Sequence, residues 1–520
     1  MKIASRKHDA GFTVVELIIV IAVIAILAAL VVVGYNGLQQ SARDKALLSD
    51  VEAVAAEVTR AGVNNNGVYD SSLSWNSASG GNSSIRFSPT TGNTVVVKVS
   101  IDGSEYCISA YNPKSSSKTL ATATRKGSSA TACTPQWTGF TDGAAGGTST
   151  CGVTLYGTAF CWGNNQYGNV GNNTTTVASV PTPVHTGGVL ANKVLKSVSV
   201  GQQHSCAVDI AGAMYCWGLN TDGQLGNNST TNSSVPVAVN MSGALSGKTI
   251  KVAASGFNQN CVIASDDRAY CWGNNLNGQL GDNSTVASPV PVAVNTSGVL
   301  SGKTLIDIAV GTGAACAIAS DGAAYCWGLN ANGQLGNNSI TNSSVPVAVV
   351  TSGALSGKSL IDIKVGGNQT CGLTADGYVY CWGNNSLGQL GNGTTTQSRV
   401  PVAVDTGGVL SGKTVKALTV TAGSGCAIAS DERAYCWGSN SNGVLGNNSS
   451  TNSLSPTPVD TSGVLSGKSL KAIMLANSSG CTVGTDNKFY CWGYNGWGQF
   501  GNNTFTSSLV PVATNDPSDL

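Results

Sequence analysis

The chain has 520 residues, with 27 Lys and Arg against 26 Asp and Glu, and only 10% of its residues are charged. A net charge of +1 argues against wrapping nucleic acid, which needs clustered cations to neutralise phosphates, and 41% apolar content argues against disorder. Sixteen cysteines suit an oxidising compartment, but the count alone does not separate disulfides from metal sites.

Residues 1–11 are short and basic, with Lys2, Arg6 and Lys7. From Leu17 to Val33 no residue is polar, and no charge follows until Arg43. An apolar run of this length can cross a bilayer as a helix, and the basic leader predicts that residues 1–11 stay cytoplasmic. Glu16 is costly at the start of such a helix, and carboxylates so placed are usually functional. The order basic leader, Gly11-Phe12-Thr13-Val14-Val15-Glu16, then apolar run resembles the type IV prepilin signal. That resemblance implies cleavage after Gly11 by a membrane prepilin peptidase and N-methylation of the new first residue, Phe12. It also implies a filament-assembly role for Glu16, whose charge the free amine of a neighbouring subunit neutralises when both are desolvated. The competing reading is a plain membrane anchor with an incidental Glu.

Beyond Val33 the helix is predicted to continue to residue 62, so that it occupies 12–62. Leu47, Leu48, Val51, Val54, Ala55 and Val58 form an amphipathic stripe, with Asp50 off it. Gly34 and Gly37 bracket a weak point. Residues 63–137 read as a small β region, with strands expected at 94–101, 105–111 and 118–124 and a hairpin at Asp102-Gly103. A long helix on a small antiparallel sheet is the pilin arrangement. Cys107 and Cys133 are the two cysteines of this region. A Cys107–Cys133 bridge would close its carboxyl end as in many pilins, the alternative being two free thiols.

The remainder, 138–515 with a short tail at 516–520, is periodic. Cys-Trp-Gly begins at Cys161, Cys216, Cys271, Cys326, Cys381, Cys436 and Cys491, every 55 residues, and a second cysteine lies ten residues before each. Each repeat carries four short β stretches divided by turns, as in a propeller blade. The pattern Tyr-Cys-Trp-Gly-x-Asn-x-x-Gly-Gln-Leu-Gly resembles the repeat of the regulator-of-chromosome-condensation superfamily, which implies a seven-bladed β-propeller. The fold class is therefore mainly β, with an amino-terminal α-helix. A three-residue turn such as Ser320-Asp321-Gly322 sets the two cysteines of a repeat opposite one another, close enough to bridge. The expected pairs are Cys151–Cys161, Cys206–Cys216, Cys261–Cys271, Cys316–Cys326, Cys371–Cys381, Cys426–Cys436 and Cys481–Cys491. Zinc is the poorer reading, since this spacing comes with scarcely any His. Val-Pro-Val-like strands recur from Val180 to Val510. Residues 510–514 are expected to return and complete the first blade, removing an open sheet edge.

Strand direction predicts two faces. Face one collects the Lys loops (Lys193 to Lys468) and hairpin tips such as Asp266, Asp321, Asp376 and Asp431. Face two collects the loops before each first cysteine and the Asn/Gly loops, and points away from the stalk. The candidate ligand-binding residues on face two are Gln202, Gln203, His204, Phe257, Asn258, Asn260, Asn368 and Gln369. An aromatic set of Tyr167, Tyr494 and Trp497, with Phe505, is expected where blades one and seven meet. Ordinary turns and closure packing are the plainer readings of both sets. The repeated Trp is expected in the blade core.

The three histidines have no triad or paired-carboxylate context. Asp282 in its Asn loop is a faint cation signal. No catalytic residue, cofactor or metal is expected, and the chain is read as a non-enzyme. The reading is a bacterial, surface-exposed minor or tip pilin-like subunit. It would be a single-pass protein of the cytoplasmic (inner) membrane before assembly, and pilus-bound and extracellular after it. A head of roughly 20 Å radius of gyration is bulky for a densely repeated major pilin. Its expected partners are other pilin subunits through the helix, and an extracellular protein or glycan on the propeller, in adhesion. The alternatives are a pseudopilin of a secretion or DNA-uptake system, and an exported propeller acting as an enzyme inhibitor or enzyme.

Overall fold

The computed structural model describes residues 140–515 apart from 155, 156, 192 and 194, together with four strands and a few helical positions before them. The prepilin segment, most of the 12–62 helix and Cys133 lie outside the described residues. The chain divides into two units, Met1–Thr134 and Pro135–Leu520.

In the first unit, Trp75–Asn76, Thr94–Val99, Glu105–Tyr111 and Leu120–Arg125 form an antiparallel meander in chain order. Val97 faces Ile108, and Cys107 faces Ala123. Among the described helical positions Val54 is buried, as its stripe requires. Asp50 is buried too, although the stripe leaves it on the polar side.

The second unit is a seven-bladed propeller. Each blade is a four-stranded antiparallel sheet whose strands are contiguous in sequence. Blade one comprises Phe140–Gly146, Ser149–Thr154, Ala159–Gly163 and Ala178–Pro183, and blade seven comprises Leu470–Leu475, Ser479–Gly484, Phe489–Gly493 and Ser508–Ala513. The first strand of each blade is innermost and contacts the first strands of its neighbours around the axis. The fourth strand is the outer edge, and its proline (Pro236 in blade two, Pro511 in blade seven) removes a ladder donor there.

Closure differs from the expected shared blade. Ser508–Ala513 pairs with Phe489–Gly493 of its own blade, Cys491 facing Val512, while the outer edge of blade one is already occupied by Ala178–Pro183. The reason is phase. The repeat contains all four strands of one blade, so no strand is left to exchange. The ring closes instead with the same contacts that join every other pair of blades. Trp217 Nε1 donates to Asn169 O at 2.8 Å, Trp272 to Gln224 O at 3.0 Å, and Trp437 to Gln389 O at 3.0 Å. Across the seam, Trp162 donates to Gln499 O at 2.9 Å. The Trp of all seven Cys-Trp-Gly strands is fully buried. The last glycine of the Gly-Gln-Leu-Gly motif makes this approach possible: a Cβ on Gly391 would lie 2.7 Å from Trp437. At the seam Phe140, Trp162 and Phe489 add a ring cluster, with Phe140 and Phe489 edge to face at 4.6 Å.

Within each blade the two cysteines are direct cross-strand partners, for example Cys316 with Cys326. Seven disulfides bridge them, with Cα atoms 4.0–4.1 Å apart. This is the close, non-hydrogen-bonded position of an antiparallel ladder. The buried Asn of Cys-Trp-Gly-x-Asn then shapes the following loop. Asn220 Nδ2 donates to Ser229 O and Thr231 O, both at 3.0 Å, and its Oδ1 accepts from Leu225 N at 2.8 Å.

The hairpin tip after the first cysteine takes a left-handed residue. Gly322 and Gly377 occupy it at φ +79° and +83°, but Glu432 holds the same place at φ +61°. A side chain costs about 1–2 kcal/mol in that region, and the half-exposed Lys416–Glu432 pair at 3.9 Å returns little. Glu432→Gly is therefore expected to raise unfolding stability by about 1 kcal/mol, measured as an increased urea midpoint at constant slope.

Candidate functional site

The two faces differ in chemistry. On face one, six blades carry a Lys–Asp pair, including Lys303–Asp321 and Lys358–Asp376 at 2.5 Å and Lys468–Asp486 at 2.8 Å. These join the Lys loop to the hairpin tip, so both lie on one face. A tyrosine completes several of them. Tyr270 donates to Asp266 Oδ2 at 2.7 Å, and burial together with that carboxylate pushes its pKa up to about 12. The acids and bases of face one are thus largely consumed by one another.

Face two has an axial mouth. Gly146, which ends the first inner strand, and the residues that follow the other six, Gly201, Gly256, Gly311, Gly366, Thr421 and Ala476, ring an opening of about 110 Å³. The ring is too tight for most side chains. A Cβ on Gly201 would lie 2.5 Å from Gly256 O, and one on Gly311 would lie 2.0 Å from Gly366 O. The next residue of each blade forms the rim: Gly147, Gln202, Phe257, Thr312, Gly367, Ala422 and Asn477. Below the ring, Val200, Val310, Val365, Val420 and Leu475 form an apolar floor. None of the lining residues is charged.

Of the residues expected to bind ligand, Gln202 and Phe257 line this mouth, and Phe257 is 37% exposed. Gln203, Asn258 and Asn368 are half-buried. Asn258 Nδ2 donates to Asp222 Oδ2 of the preceding blade at 2.8 Å, and Asn368 Oδ1 accepts from Asn332 Nδ2 at 3.3 Å.

His204, Asn260 and Gln369 correct the sequence expectation, because all three are fully buried. They already belong to the second strand of their blades, where they point inward. Their polar atoms bond between blades: His204 Nε2 meets Asn260 Oδ1 at 3.1 Å, and Asn260 Nδ2 donates to Gln224 O at 2.6 Å. Gln369 Nε2 reaches Ser424 O at 3.5 Å. Burial lowers the His204 pKa to about 4.

The aromatic set also separates. Asp222 and Asn332, which repeat the place of Tyr167 and Trp497, contact the following blade. By that geometry Tyr167 lies between blades one and two, and Trp497 lies between seven and one. Tyr494 and Trp497 are each 37% exposed, and Phe505 meets the seam at Gly498, against Ser179. Among the described residues no ring contact joins Tyr167, Tyr494 and Trp497. Asp282 accepts from Asn275 Nδ2 and Ser284 N, so it plays the loop-shaping part that Asn337 plays in the next blade. Among the described residues no group of acidic, His or Cys side chains is placed to hold a metal.

Sequence reasoning missed Thr421, Ala422 and Asn477. The signal was present: the rim residue differs between most blades although the residue before it is Gly in five of the seven.

The comparisons follow this division of the chain. Residues 6–32 match the prokaryotic N-terminal methylation motif, and residues 115–483 match the RCC1-like domain. The ultraviolet-B receptor UVR8 of Arabidopsis thaliana is 30% identical over 289 residues, which are 55% of this chain and 62% of that protein. The human E3 ubiquitin-protein ligase HERC2 is 29% identical over 68% of this chain but only 7% of its own length. The chain thus spans less than two thirds of either curated relative. Among solved structures, human WBSCR16 superposes with a TM-score of 0.61 at 19% identity, covering 69% of this chain and 95% of that one. Prp20p of Saccharomyces cerevisiae gives 0.60 at 18%, covering 69% and 86%; these two likenesses concern the fold. With a prepilin-type methylation motif at its amino terminus and a propeller over most of its length, the chain belongs to the RCC1-like domain family.

Proposed function

We propose that this protein is a minor or tip subunit of a type IV pilus or related filament, and that its propeller is an adhesive binding module. The observation that carries the reading is the methylation motif at 6–32 on the same chain as the RCC1-like domain. In this reading prepilin peptidase cuts after Gly11, Phe12 becomes the methylated first residue, and Glu16 pairs with the amine of a neighbouring subunit inside the filament. The same helix anchors the protein in the cytoplasmic membrane before assembly. The propeller is carried outside, where seven disulfides are compatible with the redox state. Face two is the binding side, since face one has its charges paired.

Deleting the gene is expected to abolish attachment of the cells to their target surface while filaments still form. Mass spectrometry of the mature protein is expected to find a chain starting at methylated Phe12. Attachment and piliation both unchanged in the deletion strain would sink the adhesive reading.

A further inference from the structure

Blade seven departs from its own repeat where its Asn/Gly loop meets solvent. Tyr494 stands where the other blades have Asn, Leu or Ser, and Phe505 where they have Thr, Ser or Ile. Gly496 stands where they have Gln, Thr, Leu, Ala or Ser. Tyr494, Trp497 and Phe505 are 37%, 37% and 57% exposed. The structure brings these rings to one surface. A Cβ on Gly496 would lie 2.1 Å from Tyr494 Oη, so the tyrosine reaches across the loop there. Gly496 is outside the left-handed region, so the ring of Tyr494, not the backbone, is what requires glycine. A Cβ on Gly498 would lie 3.4 Å from Phe505 Cε1. Trp497 stands between these two glycines, whose Cα atoms are at most about 7.6 Å apart, two trans-peptide steps. Buried Asn495 fixes the arrangement, its Nδ2 donating to Thr504 O at 3.0 Å and Thr506 O at 3.2 Å, on either side of Phe505. The ring contacts of this seam belong to Phe140, Phe160, Trp162 and Phe489. Among the described residues none joins Tyr494, Trp497 and Phe505, so their faces are not spent on one another.

The surroundings are polar and carry no carboxylate, Lys or Arg. None of these occurs between Asp142 and Lys193 or between Lys488 and Asp516, whereas blades two, three and five carry Asp222, Asp282 and Arg399 on this side. Hydroxyl and amide groups are instead held in place beside the rings. Ser179 of blade one packs against Gly498, and its Oγ donates to Asn503 Oδ1 at 3.1 Å. Thr504 Oγ1 donates to Asn502 Oδ1 at 2.8 Å.

We propose that Tyr494, Trp497 and Phe505 form a platform that binds a neutral glycan. The C–H face of a sugar ring is weakly positive and is attracted to the negative face of an aromatic ring. Sugar hydroxyls need partners that both donate and accept, as Ser, Thr and Asn side chains do. Separate rings along one loop suit successive sugar units. A surround without charge offers nothing to the sulfates or carboxylates of an acidic glycan, nor to the polar rim and Arg anchors of a protein interface. The proposal rests on the reading of the propeller as an adhesive module, and it gives that module a ligand class.

The test uses the full-length protein in micelles of a detergent without a sugar headgroup. The probes are cellohexaose, maltohexaose and N-acetylated chitohexaose, with hexagalacturonate as the charged control, by calorimetric titration. Saturable binding of at least one neutral probe is expected, and hexagalacturonate is expected to bind about tenfold more weakly or not at all. Trp497→Asn and Gly496→Ala restore what other blades carry, at Asn277 and Ala331, so both are expected to keep the melting temperature. Each is expected to weaken binding about tenfold, the first by removing a stacking ring and the second by displacing Tyr494. Trp497→Phe is expected to keep most of the affinity. No binding of any neutral probe, equal binding of hexagalacturonate, or wild-type affinity in Trp497→Asn or Gly496→Ala would each overturn the proposal. In cells, the bound sugar is expected to block attachment and Trp497→Asn to reduce it. Attachment lost in Trp497→Asn but untouched by saturating sugar would overturn the proposal, by assigning the rings to a protein surface. A deletion strain that still attaches, alongside a purified protein that binds the sugar, removes the adhesive reading alone. A deletion strain that no longer attaches, alongside a protein that binds none of the sugars, removes the glycan platform alone.

Discussion

Reducing the seven propeller disulfides is expected to unfold the head at room temperature. Each bridge closes a loop of sequence separation 10, and the chain-entropy relation assigns such a loop roughly 2.7 kcal/mol. Seven of them would sum to roughly 19 kcal/mol if additive, more than the 5–15 kcal/mol by which typical domains are stable. The cysteines are fully buried or nearly so, so a reductant reaches them chiefly through opening of the blades, and loss of structure should be slow and follow the unfolding rate. Far-ultraviolet circular dichroism and tryptophan emission with and without excess dithiothreitol measure this. A reduced protein that melts at the oxidised temperature would show that packing between blades suffices. Because the bridges are local hairpin staples, a single Cys316→Ala/Cys326→Ala pair is expected to cost only about one-seventh of the total.

A second large effect concerns pH, where two buried groups oppose one another. His204 has a folded pKa of about 4, against 6.5 for the free side chain, because burial disfavours its charged form. The unfolded chain therefore binds the extra proton first, and stability is lost as pH falls from 6.5 toward 4. Asp307 is shifted the other way. Burial first, and then Asp362, raise it to about 6 from 3.8, while Lys364 opposes the shift. Its folded carboxylate takes up a proton before the unfolded one does, so stability is gained as pH falls from 6 toward 4. At pH 4.5 each contribution is on the order of 2 kcal/mol relative to neutral pH, with opposite signs. Asp307→Asn is expected to unmask the acid loss due to His204, and His204→Gln to unmask the acid gain due to Asp307. Urea melts at pH 7.5 and 4.5 read the difference within each variant, so a general loss of stability on substitution does not confuse the result. Equal pH dependence in the two variants would refute this assignment.

Much of this structure is legible in a single repeat. The 55-residue spacing, the Asp-Gly and Asn-Gly turns and the Cys-Trp-Gly strand define one four-stranded meander. The hairpin length alone puts the two cysteines on opposed positions, as found in every blade. The Trp core and the two-faced sorting of Lys loops and Asp tips follow from strand alternation and direction. The prepilin-type signal is likewise a matter of local order, and its match at 6–32 needs no fold.

What one repeat does not contain is its contact with the next. Edge protection alone predicts a return of residues 510–514 to blade one, yet the ring closes through Trp162 and Gln499. A Trp–carbonyl contact already repeated six times is satisfied a seventh time at no further topological cost. His204, Asn260 and Gln369 sit only two or three residues from the variable rim, but the start of the second strand turns them into the gap between blades. Tyr167 and Trp497 occupy equivalent places in adjacent blades, and that equivalence keeps them a blade apart. The axial mouth is assembled from one short segment per blade, each 55 residues from the next. Amino-acid order alone determined the blade, its staple and the export signal, because those depend on hydrogen bonds and turns spanning a few residues. Tertiary structure decided the closure, the burial of His204 and the composition of the mouth, because those depend on how seven separate sheets tilt and pack about a common axis.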